Sequence, residues 1–224
     1  MKKQPIFVAV DTNNHKRASE IINATKNYIY GVKFGLEFFC SKGGCEAVKK
    51  FKKKNKKIKI FLDIKLLDIT NTVYKAIKSL KDISPDYITI HASGGLKMMK
   101  SAKKAQSETN KKMKILAVTI LTSLTNKDLK QMGSNTKVET QVQKLAKIHG
   151  IVCSAHEISK VKKISKNFEI IVPGIRISNK IQDQKRVMGP KQALKLGATH
   201  LVIGRDITKG NPKTNIKKVL NALI

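Results

Sequence analysis

Short apolar runs recur along the chain, and most of the stretches between them repeat their apolar positions at helical spacing. Ile6-Phe7-Val8-Ala9-Val10 reads as a strand ending in Asp11, and Ala18, Ile21, Ile22 and Ala24 mark a helix within His15–Tyr28. Ile29–Gly35 is a second strand with one internal lysine, Lys33. A turn at Gly43-Gly44 and a helix over Glu46–Lys54 follow it. Ile58–Leu62 predicts a third, buried strand, and Val73, Ala76, Ile77 and Leu80 mark the helix after it. Tyr87–His91 is the fourth strand, with Ala92–Gly95 as its loop and a helix over Leu96–Ser107. Lys114–Ile120 is the fifth strand, and Leu129–His149 holds one or two helices. Gly150–Cys153, Glu169–Val172 and Thr199–Ile203 supply the last three strands. Helices are predicted over His156–Ser165, Gln192–Leu196 and Asn215–Leu223, and Ile175–Pro190 is a long polar loop without periodicity.

Eight apolar strands alternating with helices call for parallel crossovers, and that number points to a closed (β/α)8 barrel. A doubly wound sheet is the alternative, but no G-x-G-x-x-G follows the first strand. With no low-complexity linker, residues 1–224 are expected to form a single barrel domain.

Composition changes this picture in one respect. There are 46 basic residues against 15 acidic ones, a net charge of +31. The excess is mostly lysine and is densest between Lys49 and Lys59. Such a field attracts polyanions and phosphorylated metabolites. Aromatic residues hardly interleave with these lysines, so the stacking platform of a single-strand binder is missing and a solvated surface is the reading adopted. No specific nucleic-acid partner is expected. No apolar run approaches the ~18–20 residues of a membrane span, and the basic N-terminus lacks the apolar stretch of a signal peptide. No membrane partner is expected, and the cytoplasm is the expected location. Cys40, Cys45 and Cys153 are an odd count and read as reduced thiols, with no metal-ligand spacing around them.

The chemistry concentrates in Phe61-Leu62-Asp63-Ile64-Lys65-Leu66-Leu67-Asp68. Strand side chains alternate faces, so Asp63 and Lys65 point the same way at the strand's end. Lys33 on the neighbouring strand lies within reach of them, which makes an array of Lys33, Asp63, Lys65 and Asp68 geometrically possible. Charges placed there are costly unless they pair, which fits either a salt-bridge plug or an active site. The polar residues at the C-terminal ends of the strands are Asp11, Lys33, Asp63, Lys65, His91, Thr122 and Arg205, and this is the rim where barrels bind ligands. Gly204-Arg205 after the eighth strand suits a phosphate, since arginine donates in pairs; a surface arginine in a helix-initiating loop is the alternative. His91 is an acid–base or a structural histidine.

These residues resemble the orotidine 5'-monophosphate decarboxylase family. Asp63–Thr72 match its D-x-K-x-x-D-I-x-N-T segment. The likeness extends to Val8–Asp11, Gly31–Gly35 with Glu37, His91–Gly95, Val172–Arg176, Asp183–Arg186 and Val202–Arg205, in the expected order. The family often has Phe-His at Leu66-Leu67 and proline at Thr70. Sister decarboxylases of sugar-acid phosphates share D-x-K-x-x-D, but they resemble this chain less at strand two, where they carry glutamate and use magnesium; Lys33 stands against them.

The resemblance implies a (β/α)8 carboxy-lyase that converts orotidine 5'-monophosphate to uridine 5'-monophosphate and CO2 without cofactor or metal. It implies that Lys65 is the proton donor to C6 and that Asp63 faces the substrate carboxylate. Asp68 and Thr72 come from the neighbouring subunit of a homodimer with shared sites. Lys33 and Asp11 contact the ribose, Thr122 or Ser123 the pyrimidine amide, and Gln184, Gly204 and Arg205 the phosphate. Pro173 and Arg176 complete the substrate-binding positions.

Overall fold

The computed structural model describes residues 3–137, 140, 150–165, 167–177 and 187–223. Eight parallel strands close into a barrel in sequence order. They are β1 (Gln4–Val10), β2 (Ile29–Gly35), β3 (Lys59–Leu66), β4 (Tyr87–His91), β5 (Lys114–Val118), β6 (Gly150–Val152), β7 (Glu169–Val172) and β8 (His200–Ile203). The seam is sealed by β1 against β8, with Ile6 opposite Leu201 and Val8 opposite Ile203. The helices are α1 (His15–Thr25), α2 (Leu36–Phe39), α3 (Gly44–Lys54), α4 (Thr70–Ser79), α5 (Gly95–Thr109), α6 (Asn126–Gln131), α7 (Ile158–Ile164), α8 (Pro190–Leu196), α9 (Arg205–Thr208) and α10 (Pro212–Asn221). Among the described residues, no helix is long and apolar enough to cross a membrane.

Alternation along each strand sorts its side chains into two cores. Outward-facing residues such as Ile6, Val8, Val32, Ile60, Leu62 and Ile88 pack under the helices. Inward-facing Phe7, Ala9, Phe61, Tyr87, Leu116, Ile171 and Val202 fill the barrel. At the lower end Tyr87 donates a hydrogen bond to Glu169 at 2.7 Å and meets the Tyr30 hydroxyl at 3.0 Å, so these buried polar groups have partners.

Several boundaries differ from the sequence reading. β3 runs on to Leu66, because a bulge lets the chain keep pairing with β4 beyond Leu62. β5 stops at Val118, because the short β6 offers partners only to Ala117 and Val118. The ends of the Ile175–Pro190 loop are tied by a bridge between Ile175 and Met188, and Pro190 already opens α8. The four-residue helices α2 and α9, which no sequence pattern marks, follow β2 and β8 directly. The helices predicted within Leu129–His149 lie mostly outside the described residues, as do positions 178–186.

Candidate active site

Lys33 starts low in the barrel mouth. Its backbone is level with Ala9 of β1 and Phe61 of β3, two residues below Asp11 and Asp63. The long side chain climbs past Gly35 to place its ammonium 3.0 Å from Asp11 Oδ1 and 3.4 Å from Asp63 Oδ2. Gly35 makes room for this: a Cβ there would stand 2.8 Å from the Asp11 carboxylate and 3.1 Å from the Lys33 nitrogen. Asp63 gives its other oxygen, Oδ1, to Lys65 Nζ at 2.9 Å. Two ammoniums and two carboxylates thus alternate in an electrically balanced chain, Asp11–Lys33–Asp63–Lys65.

Pairing sets the charge states. Burial opposes the charged form of Lys33, but Asp63 and Asp11 outweigh it and hold the ammonium above the ordinary lysine range. Burial likewise opposes an ionised Asp63. Lys33, Lys65 and their hydrogen bonds outweigh that penalty and hold the carboxyl below its ordinary value, with Thr89 adding a further hydrogen bond.

Lys65 does not sit in a regular strand. Its φ of 47° is left-handed, which costs a non-glycine residue of order 1–2 kcal/mol. The β3–β4 pairing explains it: Leu62 faces Ile88, yet Leu66 faces Ile90, so Asp63, Ile64 and Lys65 bulge against Thr89 alone. Thr89 is fully buried; its hydroxyl accepts from the Lys65 N–H at 2.9 Å and donates to Asp63 Oδ1 at 3.1 Å.

These groups line a cavity of about 500 Å³ at the C-terminal end of the strands. The predicted residues Asp11, Lys33, Asp63, Lys65, Thr122, Pro173, Arg176, Gly204 and Arg205 all border it. Arg176 is buried; it donates to the Ile175 carbonyl at 3.0 Å and lies 3.8 Å from Asp206, tying the loop after β7 to α9. Apolar walls come from Ala9, Phe61, Val118, Ile120, Val152 and Val202. The cavity therefore offers a neutral charge relay, two arginines and apolar walls in one mouth.

Other expected positions lie elsewhere. Asp68 is exposed at the head of α4 and accepts from the Ile69 N–H at 2.6 Å. Among the described residues it joins no ion pair, and Asp11 takes the place expected for it in the charged array. Thr72 and Ser123 are exposed and do not border the cavity. His91 is half-buried at the rim, bonded to Ser93 at 2.6 Å; burial, then the positive charge of Lys65, lowers its pKa. Gln184 lies outside the described residues. Cys40, Cys45 and Cys153 form no disulfide among the described residues. Sequence pattern assigns no role to Thr89, Gly35 or the cavity-lining Thr208, and Glu37 enters only as part of a motif; membership of, or nearness to, the matched segments is the signal that marks Gly35, Glu37 and Thr208, while Thr89 carries none.

Residues 4–219 match the Orotidine 5'-phosphate decarboxylase / HUMPS family. Similar curated proteins include the orotidine 5'-phosphate decarboxylase of Wolbachia pipientis subsp. Culex pipiens, 40% identical with 98% of each chain covered. That of Wigglesworthia glossinidia brevipalpis is 42% identical, covering 100% of this chain and 99% of the relative. Among solved structures, orotidine 5'-phosphate decarboxylase from Lactobacillus acidophilus superposes with a TM-score of 0.84 at 31% identity over 99% of each chain. A full-length match, near relatives and a shared barrel agree: the chain belongs to the orotidine 5'-phosphate decarboxylase / HUMPS family.

Proposed function

We propose that the protein decarboxylates orotidine 5'-monophosphate to uridine 5'-monophosphate, the UMP-forming step of pyrimidine biosynthesis. The observation that carries this reading is the Asp11–Lys33–Asp63–Lys65 relay opening into the same cavity as Arg205. The names of the relatives supply the substrate.

In this scheme the C6–carboxylate bond breaks, CO2 departs and the electron pair stays on C6. No ring orbital delocalises that pair, so a fixed positive charge facing it is the available stabilisation. The Lys65 ammonium, held by Asp63, supplies the charge without reorganising and then delivers its proton to C6. Asp63 also stands against the departing carboxylate. Lys33 and Asp11 hold the ribose hydroxyls, and Thr122 meets the pyrimidine amide. Gly204 and Arg205, with Gln184, hold the phosphate, whose binding energy fixes the ring at the relay. The use of lysine at position 33 favours this branch over the sugar-phosphate branch of the family.

The same reading makes the protein a homodimer in which Asp68 and Thr72 complete the partner's site. Asp68 is flanked by Leu67 and Ile69, which are 55% and 73% exposed, an apolar surface that a second subunit would cover. The expected location is the cytoplasm.

The deciding assay follows the loss of orotidine 5'-monophosphate absorbance in the presence of a metal chelator. Turnover that survives chelation is the expected result. Absence of turnover in the folded, metal-replete protein would overturn the assignment, and chelator-sensitive turnover would favour the magnesium-dependent branch.

A further inference from the structure

We propose that Thr89 is a positioning residue of the site, acting through Lys65 and Asp63 rather than on substrate. The inference rests on the decarboxylase reading above. Its basis is the bulge at residues 63–65, which leaves the Lys65 N–H without its regular ladder partner on β4. The Thr89 hydroxyl takes that hydrogen at 2.9 Å. The same oxygen then gives its own proton to Asp63 Oδ1 at 3.1 Å, the carboxylate oxygen that also receives the Lys65 ammonium at 2.9 Å.

One hydroxyl therefore fixes both ends of the Lys65 side chain. At the backbone it supports a left-handed residue, φ 47°, whose conformation is otherwise unfavourable. At the tip it sets the orientation of the carboxylate that aims the ammonium. A hydroxyl has one donor and two acceptor sites, so it can serve both bonds at once; valine has the same shape and can serve neither. Thr89 is 0% exposed, so its hydroxyl is shielded from bulk water, and a lost hydroxyl takes a protein partner from both Lys65 N–H and Asp63. Thr89 does not border the cavity, so its removal leaves the substrate's own contacts in place.

The test compares kcat and KM for orotidine 5'-monophosphate in the wild type, Thr89→Val, Thr89→Ser and Thr89→Ala, with uridine 5'-monophosphate affinity and thermal unfolding measured alongside. Serine and alanine differ only by the hydroxyl, so that pair decides the matter even where the valine variant does not fold. The expected result is a kcat about 10- to 100-fold lower in the alanine and valine variants, the scale of a misplaced catalytic group. Product affinity and KM should change less than about threefold, and serine should restore most of kcat. Equal kcat in the serine and alanine variants would overturn the proposal, as would a loss confined to KM or to folded fraction. A wild type without turnover would instead overturn the decarboxylase reading.

Discussion

Lys65 Nζ lies 2.9 Å from Asp63 Oδ1 although the Lys65 backbone has left the extended region of its strand. The contact therefore comes from a deformed strand, not from simple alternation along a regular one. It gives the first prediction. Lys65→Ala should lose measurable turnover while still binding uridine 5'-monophosphate, because in the proposed scheme the charge facing C6 and the proton for it both come from Lys65. Single-turnover assay and product-binding titration check this, and retained turnover would contradict the proton-donor role.

Arg205, just after β8, borders the same cavity as the relay. Truncating it should lower kcat/KM by about 2–5 kcal/mol, the range for removing one partner of a desolvated charge pair. The loss should be small for a substrate lacking the phosphate. An unchanged kcat/KM for the phosphorylated substrate would remove Arg205 from the phosphate site.

Mixing separately inactive Asp68→Ala and Lys65→Ala subunits tests the shared site. In a heterodimer one site carries both lesions and the other carries neither, so activity should partly return. Subunit exchange is verified by mass, and no recovery after verified exchange would place Asp68 outside the neighbour's site.

Acid stability should depend on Asp63. Its carboxyl titrates below the ordinary value of 3.8 in the folded protein, so it contributes stability that is present above about pH 4 and is lost as pH falls through the lowered value. Urea midpoints from pH 5 to pH 3 should fall more steeply for the wild type than for Asp63→Asn, which has no such group to protonate. Parallel slopes would show that the pairing adds nothing.

Asp86 anchors the lysine-rich end of the barrel. It accepts from Lys52 at 2.5 Å, Lys59 at 3.0 Å and the Ile60 N–H at 2.9 Å. Burial opposes its ionised form, and those partners outweigh burial to keep the carboxyl below its ordinary range. Asp86→Ala should cost about 1–3 kcal/mol of stability by denaturant unfolding, with turnover per folded molecule unchanged. A variant as stable as the wild type would show that the lysines are solvated without it.

The barrel and most of its rim were legible because they depend on strand-scale patterns. Apolar runs mark eight strands, and Asp11, Lys33, Asp63, Thr122 and Arg205 stand at or near the ends of those runs. The bulge was not legible, because Asp63-Ile64-Lys65 contains no glycine or proline to announce it and it appears only as a slipped register against β4. Thr89 was hidden for the same reason: a lone threonine in an apolar strand shows its use only when its partner across the sheet is known. The helices α2 and α9 are single turns, too short for a period, and the Arg176–Asp206 contact joins segments far apart in sequence.

The seam between β1 and β8 bears on how the protein is made. A nascent chain still missing its eighth strand has two raw sheet edges and no Gly204 or Arg205, even though the lysine and aspartate pairs of the early strands have already emerged from the ribosome. The cavity would thus be completed in one step, when the eighth strand seals the ring.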